Sequence, residues 1–320
     1  MPTSGFTLRA LSLLRNVFKI PTGRNVIVTG KYVIKIYNNI DECVYEHHVL
    51  SEIARFNTAV LEVPRVIKPV VTGSHCALIM TRISAQSLDK YILDFAMRGC
   101  HDAIKVFYML GRSVRELHGL EIKYLRNSGL MVCNTPQCLR REVVRLTKEL
   151  IALGMATEDL LDAILNVAER VPISDDIFAP VSLHGELYIT HVMVCDKKIC
   201  LLDFHEARKG PAYLDLATFN ISLYSSLALP PQFLRRLTLL TEAFLRGYRD
   251  SLSTEFIASA KLAELYLILA GVRSALTRPM YATTPAIRAL TILKAKRLMT
   301  AASKVILPAL FSIARWGFSA

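Results

Sequence analysis

Two carboxylates and a histidine in the second half of the chain are spaced as phosphoryl-transfer chemistry requires. Glu186 lies in the segment His184-Gly185-Glu186, His191 follows five residues later, and Asp203 comes after the next apolar stretch. Such chemistry needs one carboxylate to orient the attacking hydroxyl and another to hold a metal ion against the phosphates. The spacing therefore predicts Glu186 as the catalytic carboxylate and Asp203 as a metal ligand. His191 is either a second metal ligand, a contact to the transferred phosphate or a hydrogen-bonded structural residue.

A hairpin has to bring Asp203 back beside the loop that carries Glu186. Two short apolar runs, 192–195 and 199–202, flank the polar residues 196–198. This pattern is typical of two antiparallel strands joined by a tight turn. We therefore expect Asp203 to return to the side of the loop.

A strand and a helix near the start of the chain supply a candidate ion pair. Residues 31–37 alternate as a strand and carry Lys35, and a helix is predicted to begin near Asp41. Glu46 shares a face of that helix with apolar residues, so its carboxylate is expected to point inward toward Lys35. Glu42 is the alternative partner.

These segments together resemble two related groups of kinases. The segment 184–186, with 203–207 and 211–217, looks like the aminoglycoside and choline phosphotransferases. The stretch 188–191, with a histidine where most kinases carry asparagine, looks more like the bacterial lipopolysaccharide core heptose kinases. Both groups ordinarily have aspartate where this chain has Glu186. The similarity extends from about residue 24 to about residue 248.

The resemblance implies an α+β, two-lobed, protein-kinase-like fold with a small β-rich N-lobe and a helical C-lobe. The expected division is an amphipathic segment 1–22, a nucleotide-binding N-lobe 23–83 and a C-lobe 84–320 with a helical insertion at about 119–180. ATP and Mg²⁺ are the implied cofactors. The residues expected to bind the nucleotide are Lys35, Glu46, Val33, Thr81, Ile83 and Met193.

The helical periodicity supports this layout beyond the motifs themselves. Apolar residues recur at helical spacing in 139–153 and 158–171, and again in 231–248 and 254–278. In the aminoglycoside-type enzymes such an inserted pair walls the acceptor site, which is what the resemblance implies here. A glycine-rich phosphate loop is missing, because only Gly23 and Gly30 precede Lys35.

Composition narrows the class of protein. A chain of 320 residues with 52% hydrophobic and 21% charged residues is long and apolar enough for a folded core. The seven cysteines lack the spacing of a zinc site, and we expect them to be free thiols in a reducing cytosol. No secretory leader is expected, since charged residues interrupt the first apolar stretch. Nucleic-acid binding is not expected, because no such signature accompanies the net charge of +12.

The positive charge is concentrated at the two ends of the chain. Residues 1–40 contain six lysines and arginines and no acid, and the part after Glu264 contains eight and again no acid. The segment 6–20 and the tail 304–320 are also apolar, so each either packs on its own domain or lies on an anionic membrane surface. The longest uncharged run in the tail has ten residues, whereas a span needs about 20.

These observations lead to one functional expectation and two alternatives. We expect an ATP-dependent kinase that phosphorylates a sugar hydroxyl of a lipopolysaccharide-type glycolipid. It would be cytoplasmic and peripheral on the inner face of the membrane. The first alternative is a small-molecule kinase of the aminoglycoside or choline type. The second is a pseudokinase, which acts as a binding module and transfers no phosphate. This alternative arises because Glu186 replaces the usual aspartate.

Overall fold

The computed structural model describes residues 25–127, 133–225, 233–277 and 285–316. The predicted amphipathic segment 1–22 lies outside these ranges. The strands of the described residues are β1 (Asn25–Val28), β2 (Tyr32–Tyr37), β3 (Leu61–Glu62), β4 (Val66–Thr72), β5 (His75–Thr81), β6 (Gln86–Ser87), β7 (Arg126–Asn127), β8 (Pro180–Leu183), β9 (Val192–Cys195), β10 (Lys198–Leu201) and β11 (Arg208–Pro211).

Helices dominate the part of the chain that follows β6. The α-helices are α1 (Ile40–Ile53), α2 (Leu88–Arg98), α3 (Asp102–His118), α4 (Pro136–Ala152), α5 (Glu158–Arg170), α6 (Tyr213–Ser225), α7 (Leu234–Tyr248), α8 (Thr254–Thr277), α9 (Pro285–Ala301) and α10 (Leu307–Trp316). A π-helical turn, Ala302–Ile306, joins the last two. The expected α+β class, with a β-rich N-terminal part and a helical C-terminal part, is confirmed.

The N-terminal part is a four-stranded antiparallel sheet in the order β1-β2-β5-β4 with α1 packed beside it. Lys35 stands opposite Leu78 of β5, at the buried end of β2. Helix α1 begins after Asn39, whose side chain accepts a hydrogen bond from the N–H of Asp41 and so caps the first turn. This cap fixes where the helix starts and therefore where Glu46 projects.

Two small sheets carry the site, and the first of them links the lobes through β3. One has the order β3-β10-β9-β6 and contains the predicted hairpin of β9 and β10, while the other has the order β7-β11-β8. Below them α3 packs tightly on α7. Gly111 and Gly247 make this contact possible, because a Cβ on Gly247 would stand 1.8 Å from the carbonyl oxygen of Tyr108. The close pairing gives the C-terminal part a rigid centre.

The cysteine expectation was wrong. Six of the seven cysteines form disulfide bonds and only Cys100 is a free thiol; the bonded pairs are Cys43–Cys76, Cys133–Cys138 and Cys195–Cys200. Sequence separation suggested no zinc site, but it gave no information on which thiols the folded backbone brings together. The first bond links α1 to β5, and the third closes the β9–β10 hairpin.

The described part of the C-terminal tail, 304–316, packs on its own domain. Val305, Ile306, Leu307 and Leu310 are all buried. In the described part of the chain, Thr291–Arg315 is the one helical run with the length and composition of a membrane span, although core helices share those properties. The ten-residue uncharged run of the tail is one part of this longer helix.

Candidate active site

Lys35 joins three elements at the centre of the cleft between the sheet and the helical part. Its Nζ lies 2.7 Å from Oε2 of Glu46 on α1 and 2.5 Å from Oδ1 of Asp203 after β10. The other carboxylate oxygen of Glu46 accepts a hydrogen bond from the N–H of Phe204. Glu46, and not the alternative Glu42, is therefore the partner of Lys35.

Asp203 is held in an unusual backbone conformation that directs its carboxylate into the cleft. Its φ angle of +68° lies in the left-handed region, which non-glycine residues adopt rarely and mostly at functional sites. Burial raises the pKa of Asp203, but the hydrogen bond from His205 and the charge of Lys35 outweigh it and hold that pKa well below its usual range. The carboxylate is thus anionic throughout the physiological pH range.

The loop that carries Glu186 is fixed by a buried aspartate. Oδ2 of Asp215 accepts from the N–H of His184 at 2.7 Å, and Oδ1 accepts from the N–H of Gly185 at 3.0 Å. His118 lies 3.1 Å from the same Oδ2. Burial is the largest single influence and raises the pKa of Asp215, but the hydrogen bond and charge of His118, together with His184, outweigh it and lower that pKa. Asp215 therefore ties the loop backbone in place.

Gly185 allows the loop to pass close to the next strand. Its φ angle is +89°, and a Cβ there would stand 2.0 Å from the carbonyl oxygen of Glu206. Any other residue would push Glu186 away from its present position.

His184 is a buried structural anchor. Its Nε2 lies 2.8 Å from the carbonyl oxygen of Leu202, and its Nδ1 accepts from the N–H of Glu186 at 3.4 Å. One ring nitrogen donates and the other accepts, which is the pattern of a neutral imidazole. Burial lowers the pKa of His184 to about 4, so the ring stays neutral at physiological pH.

His191 and Asp203 are the predicted metal ligands, and their geometry fits a cation between them. Nδ1 of His191 lies 2.8 Å from the carbonyl oxygen of Glu186, which leaves Nε2 facing Oδ2 of Asp203 at 3.8 Å. Two acceptor atoms that face each other favour the binding of a cation between them. No group of three or more ligating side chains occurs within the described residues, and Mg²⁺ is often held by one carboxylate with phosphate oxygens and water.

The residues predicted to bind the nucleotide line one cleft of about 430 Å³. All six of them, together with His191 and Asp203, border this space. The N–H groups of Thr81 and Arg82 already donate to Arg65 and Lys31. A nucleotide base therefore has to pair beyond them, along the irregular segment 83–85, where Ile83 is the first residue.

Glu186 faces a different space on the other side of the loop. This acceptor cleft has a volume of about 700 Å³. Residues Glu142, Arg145 and Leu146 of α4 form one wall, so the first helix of the predicted inserted pair does border the candidate acceptor site. The second predicted helix, α5, does not contribute to the described lining.

Four further side chains of the site, His205 and three arginines, were not predicted from the sequence. The ring of His205 is buried, with Nδ1 hydrogen-bonded to Asp203 and Nε2 3.6 Å from Oε2 of Glu186, so it lies between the two key carboxylates. The acceptor cleft also contains Arg145, Arg208 and Arg273. The position of His205 two residues after Asp203 was the available signal, whereas the arginines come from distant segments that no local pattern connects.

Solved structures share this architecture over nearly their full length. A choline/ethanolamine kinase family protein from Mesorhizobium loti matches with a TM-score of 0.57 at 12% identity, over 97% of this chain and 99% of that chain. Wild-type aminoglycoside 2'-phosphotransferase-IIIa, solved with GDP, matches with a TM-score of 0.57 at 12% identity, over 93% and 99%. Amicoumacin kinase, solved with AMP-PNP and Ca²⁺, matches with a TM-score of 0.52 at 11% identity, over 94% and 96%. At these identities the likeness shows a shared fold.

The sequence itself also matches a family. A search of curated proteins gave no match. Residues 21–250, however, match the family described as "APH: Phosphotransferase enzyme family", and this region carries both clefts' key side chains, from Lys35 to Asp215. Because the match spans well over half of the 320 residues, the chain belongs to the APH family of phosphotransferase enzymes.

Proposed function

We propose that this phosphotransferase transfers the γ-phosphate of ATP to a sugar hydroxyl. The observation that carries the proposal is the arrangement of two clefts around one loop. Lys35 and Asp203 face the first cleft, and Glu186 faces the second. The solved relatives with AMP-PNP or GDP support a nucleotide in such a fold.

Each side chain has a chemical role in this proposal. Lys35, held by Glu46, neutralises the phosphates, and Glu186 orients the acceptor hydroxyl and accepts its proton. A metal ion bound by Asp203, with His191 beside it, would supply positive charge to the phosphate oxygens. The carboxylate of Glu186 has the charge of the usual aspartate and a longer reach, which suits an acceptor that lies slightly further from the loop.

The charges of the acceptor cleft favour a neutral sugar over a polycation. Its described lining contains three glutamates and three arginines, namely Glu142, Glu186, Glu206, Arg145, Arg208 and Arg273. Two of the arginines lie beside glutamates of the same cleft, and Arg273 pairs with Glu149. A polycationic aminoglycoside would gain more from a strongly acidic site, so this balance supports a sugar with few charges, such as the head of a glycolipid.

A transfer assay tests the acceptor class. Labelled ATP would be supplied with a bacterial glycolipid extract in vesicles, and separately with an aminoglycoside and with choline. The proposal predicts label in the glycolipid fraction, and Asp203→Asn controls for contaminating kinases. Label only on the aminoglycoside or on choline would establish the small-molecule alternative. Label on none of them, with ATP still bound, would favour the pseudokinase.

We further propose that the protein acts at the inner face of the cytoplasmic membrane, where ATP is present. The support is the basic C-terminal region, in which Lys296 and Lys304 are exposed beside the exposed apolar side chains of Leu293 and Phe311. Each lysine close to an anionic surface contributes about 1 kcal/mol of binding free energy at physiological salt.

Vesicle sedimentation tests this location. The protein should sediment with anionic vesicles at low salt and be partly released at high salt. Lys296→Glu combined with Lys304→Glu should reduce binding more than tenfold, while Lys105→Glu, an exposed site on α3, should not. Equal binding of all three proteins, or none by wild type, would contradict the proposal.

A further inference from the structure

A second cavity opens from the acceptor cleft and leads away from the catalytic loop. It has a volume of about 610 Å³, within the range of about 300–1,000 Å³ typical of small-molecule pockets. Four residues border both spaces, namely Tyr188, Thr218, Leu267 and Ala270. The two cavities are therefore adjacent, and we call the second one the apolar groove.

The apolar groove differs sharply in chemistry from the cleft that it joins. Helices α6, α8 and α9 form its walls. Among its described lining residues Lys294 alone is charged, whereas the acceptor cleft has six charged side chains. The lining is mainly aliphatic and small, and includes Ile221, Val272, Ala275 and Leu298.

Gly271 lines the groove without filling it. It lies in the interior of α8, where glycine destabilises a helix by about 1 kcal/mol relative to alanine. A Cβ at this position would meet no atom within 4 Å, and its φ angle is not in the positive range. Neither the backbone nor a close helix contact therefore requires glycine here. Gly271 is exposed on the wall of the groove, so the space beside it is open to a ligand.

We propose that the apolar groove holds an alkyl chain of the acceptor, so that the acceptor is an amphiphile with its hydroxyl-bearing head at Glu186. The placement of the head rests on the proposed function. The placement of the chain rests on the groove itself. Its α9 wall includes Ala295 and Leu298, which lie in the apolar run Thr291–Arg315. A lipid leaving a membrane beside this helix would thus enter the groove over an apolar wall.

A binding measurement tests the groove without requiring any enzymatic activity. The probe is cis-parinaric acid, a fluorescent molecule with a long alkyl chain, and decyl glucoside and methyl glucoside serve as competitors. Wild type should bind about one probe per chain. Decyl glucoside should displace the probe and methyl glucoside should not, because each buried methylene strengthens binding roughly fourfold.

Filling the groove should abolish this binding. Gly271→Leu places a side chain in the open space and, by helix propensity, should not destabilise α8. We expect it to weaken probe binding at least tenfold. Thr277→Leu, an exposed change at the end of the same helix, should leave it unaltered. Absence of saturable binding by wild type, or equal binding by both variants, would overturn the proposal.

Transfer kinetics separate a failure of the groove from a failure of the proposed function. If phosphate is transferred equally well to both glucosides, and Gly271→Leu changes neither rate, the groove assignment is wrong and the kinase assignment stands. If neither glucoside is phosphorylated, while the probe binds wild type and not Gly271→Leu, the groove assignment stands and the head group or the kinase assignment is wrong.

Discussion

Glu186 and Asp203 lie on opposite sides of one loop, and His205 lies between their carboxylates. This arrangement explains how a glutamate can stand where related enzymes carry aspartate. The longer side chain is positioned by a backbone that Asp215 and Gly185 hold rigidly. A base has to approach within roughly 2.6–3.2 Å of the hydroxyl, so the rigidity of the loop determines where the acceptor binds.

Replacing Glu186 separates chemistry from binding. Glu186→Gln keeps the shape of the side chain but cannot accept a proton, so turnover should fall about 10²–10⁴-fold while ATP affinity changes little. Glu186→Asp should retain more activity than the glutamine variant. Glu121→Gln is the control, because Glu121 is exposed and distant from Glu186 in the sequence. Turnover of Glu186→Gln equal to wild type would show that this carboxylate does no chemistry.

His184 should make stability depend on pH. Its folded-state pKa of about 4 lies below the value near 6.5 of an unfolded histidine. The contribution of His184 to the free energy of unfolding is thus fully present above pH 6.5. It is lost as the pH falls toward 4, and the free energy of unfolding then decreases by about 3 kcal/mol in all. Urea unfolding at pH 7 and pH 4.5 measures it. His184→Gln should lose less stability than wild type over that interval; an equal loss would contradict the assignment.

At the scale of elements, the sequence predicted those parts that local periodicity determines. The β9–β10 hairpin, helix α1 and the helical pair α4 and α5 occur within a few residues of their predicted bounds. The inward direction of Glu46 followed from helix spacing alone. The arginines of the acceptor cleft and the position of His205 could not be predicted in this way, because their proximity depends on how distant elements pack.

The disulfide bonds are the clearest error of prediction at this scale. The sequence shows how many cysteines the chain has, but not which thiols the folded backbone brings within bonding distance. The Cys43–Cys76 bond also fixes α1 against β5, and so supports the ion pair of Lys35 with Glu46.

Thiol titration tests the disulfide pairing. Purified without reductant, the protein should react with one equivalent of Ellman's reagent at Cys100, and with seven after reduction in denaturant. Cys100→Ser should lower both values by one. Seven reactive thiols in denaturant without prior reduction would restore the expectation of free cysteines.

At the scale of the whole molecule, three spaces lie in series around the catalytic loop. The catalytic loop lies between the nucleotide cleft and the acceptor cleft. The acceptor cleft and the apolar groove share residues at their border. The fold class and the nucleotide cleft were predictable, because motifs in chain order carry them. The groove was not, since it results from small residues on three helices that meet only in the folded protein.

The central claim is that Lys35 and Asp203 form a metal-dependent nucleotide site, and a thermal shift measurement tests it most directly. A ligand that binds only the folded state at about 100 times its Kd stabilises that state by about 2.7 kcal/mol. ATP with Mg²⁺ should therefore raise the Tm of wild type by several degrees, and ATP alone by less. Asp203→Asn should lose the metal-dependent part, whereas Asp102→Asn, at an exposed site, should keep it. No shift of the wild-type Tm at millimolar ATP with Mg²⁺ would contradict the account.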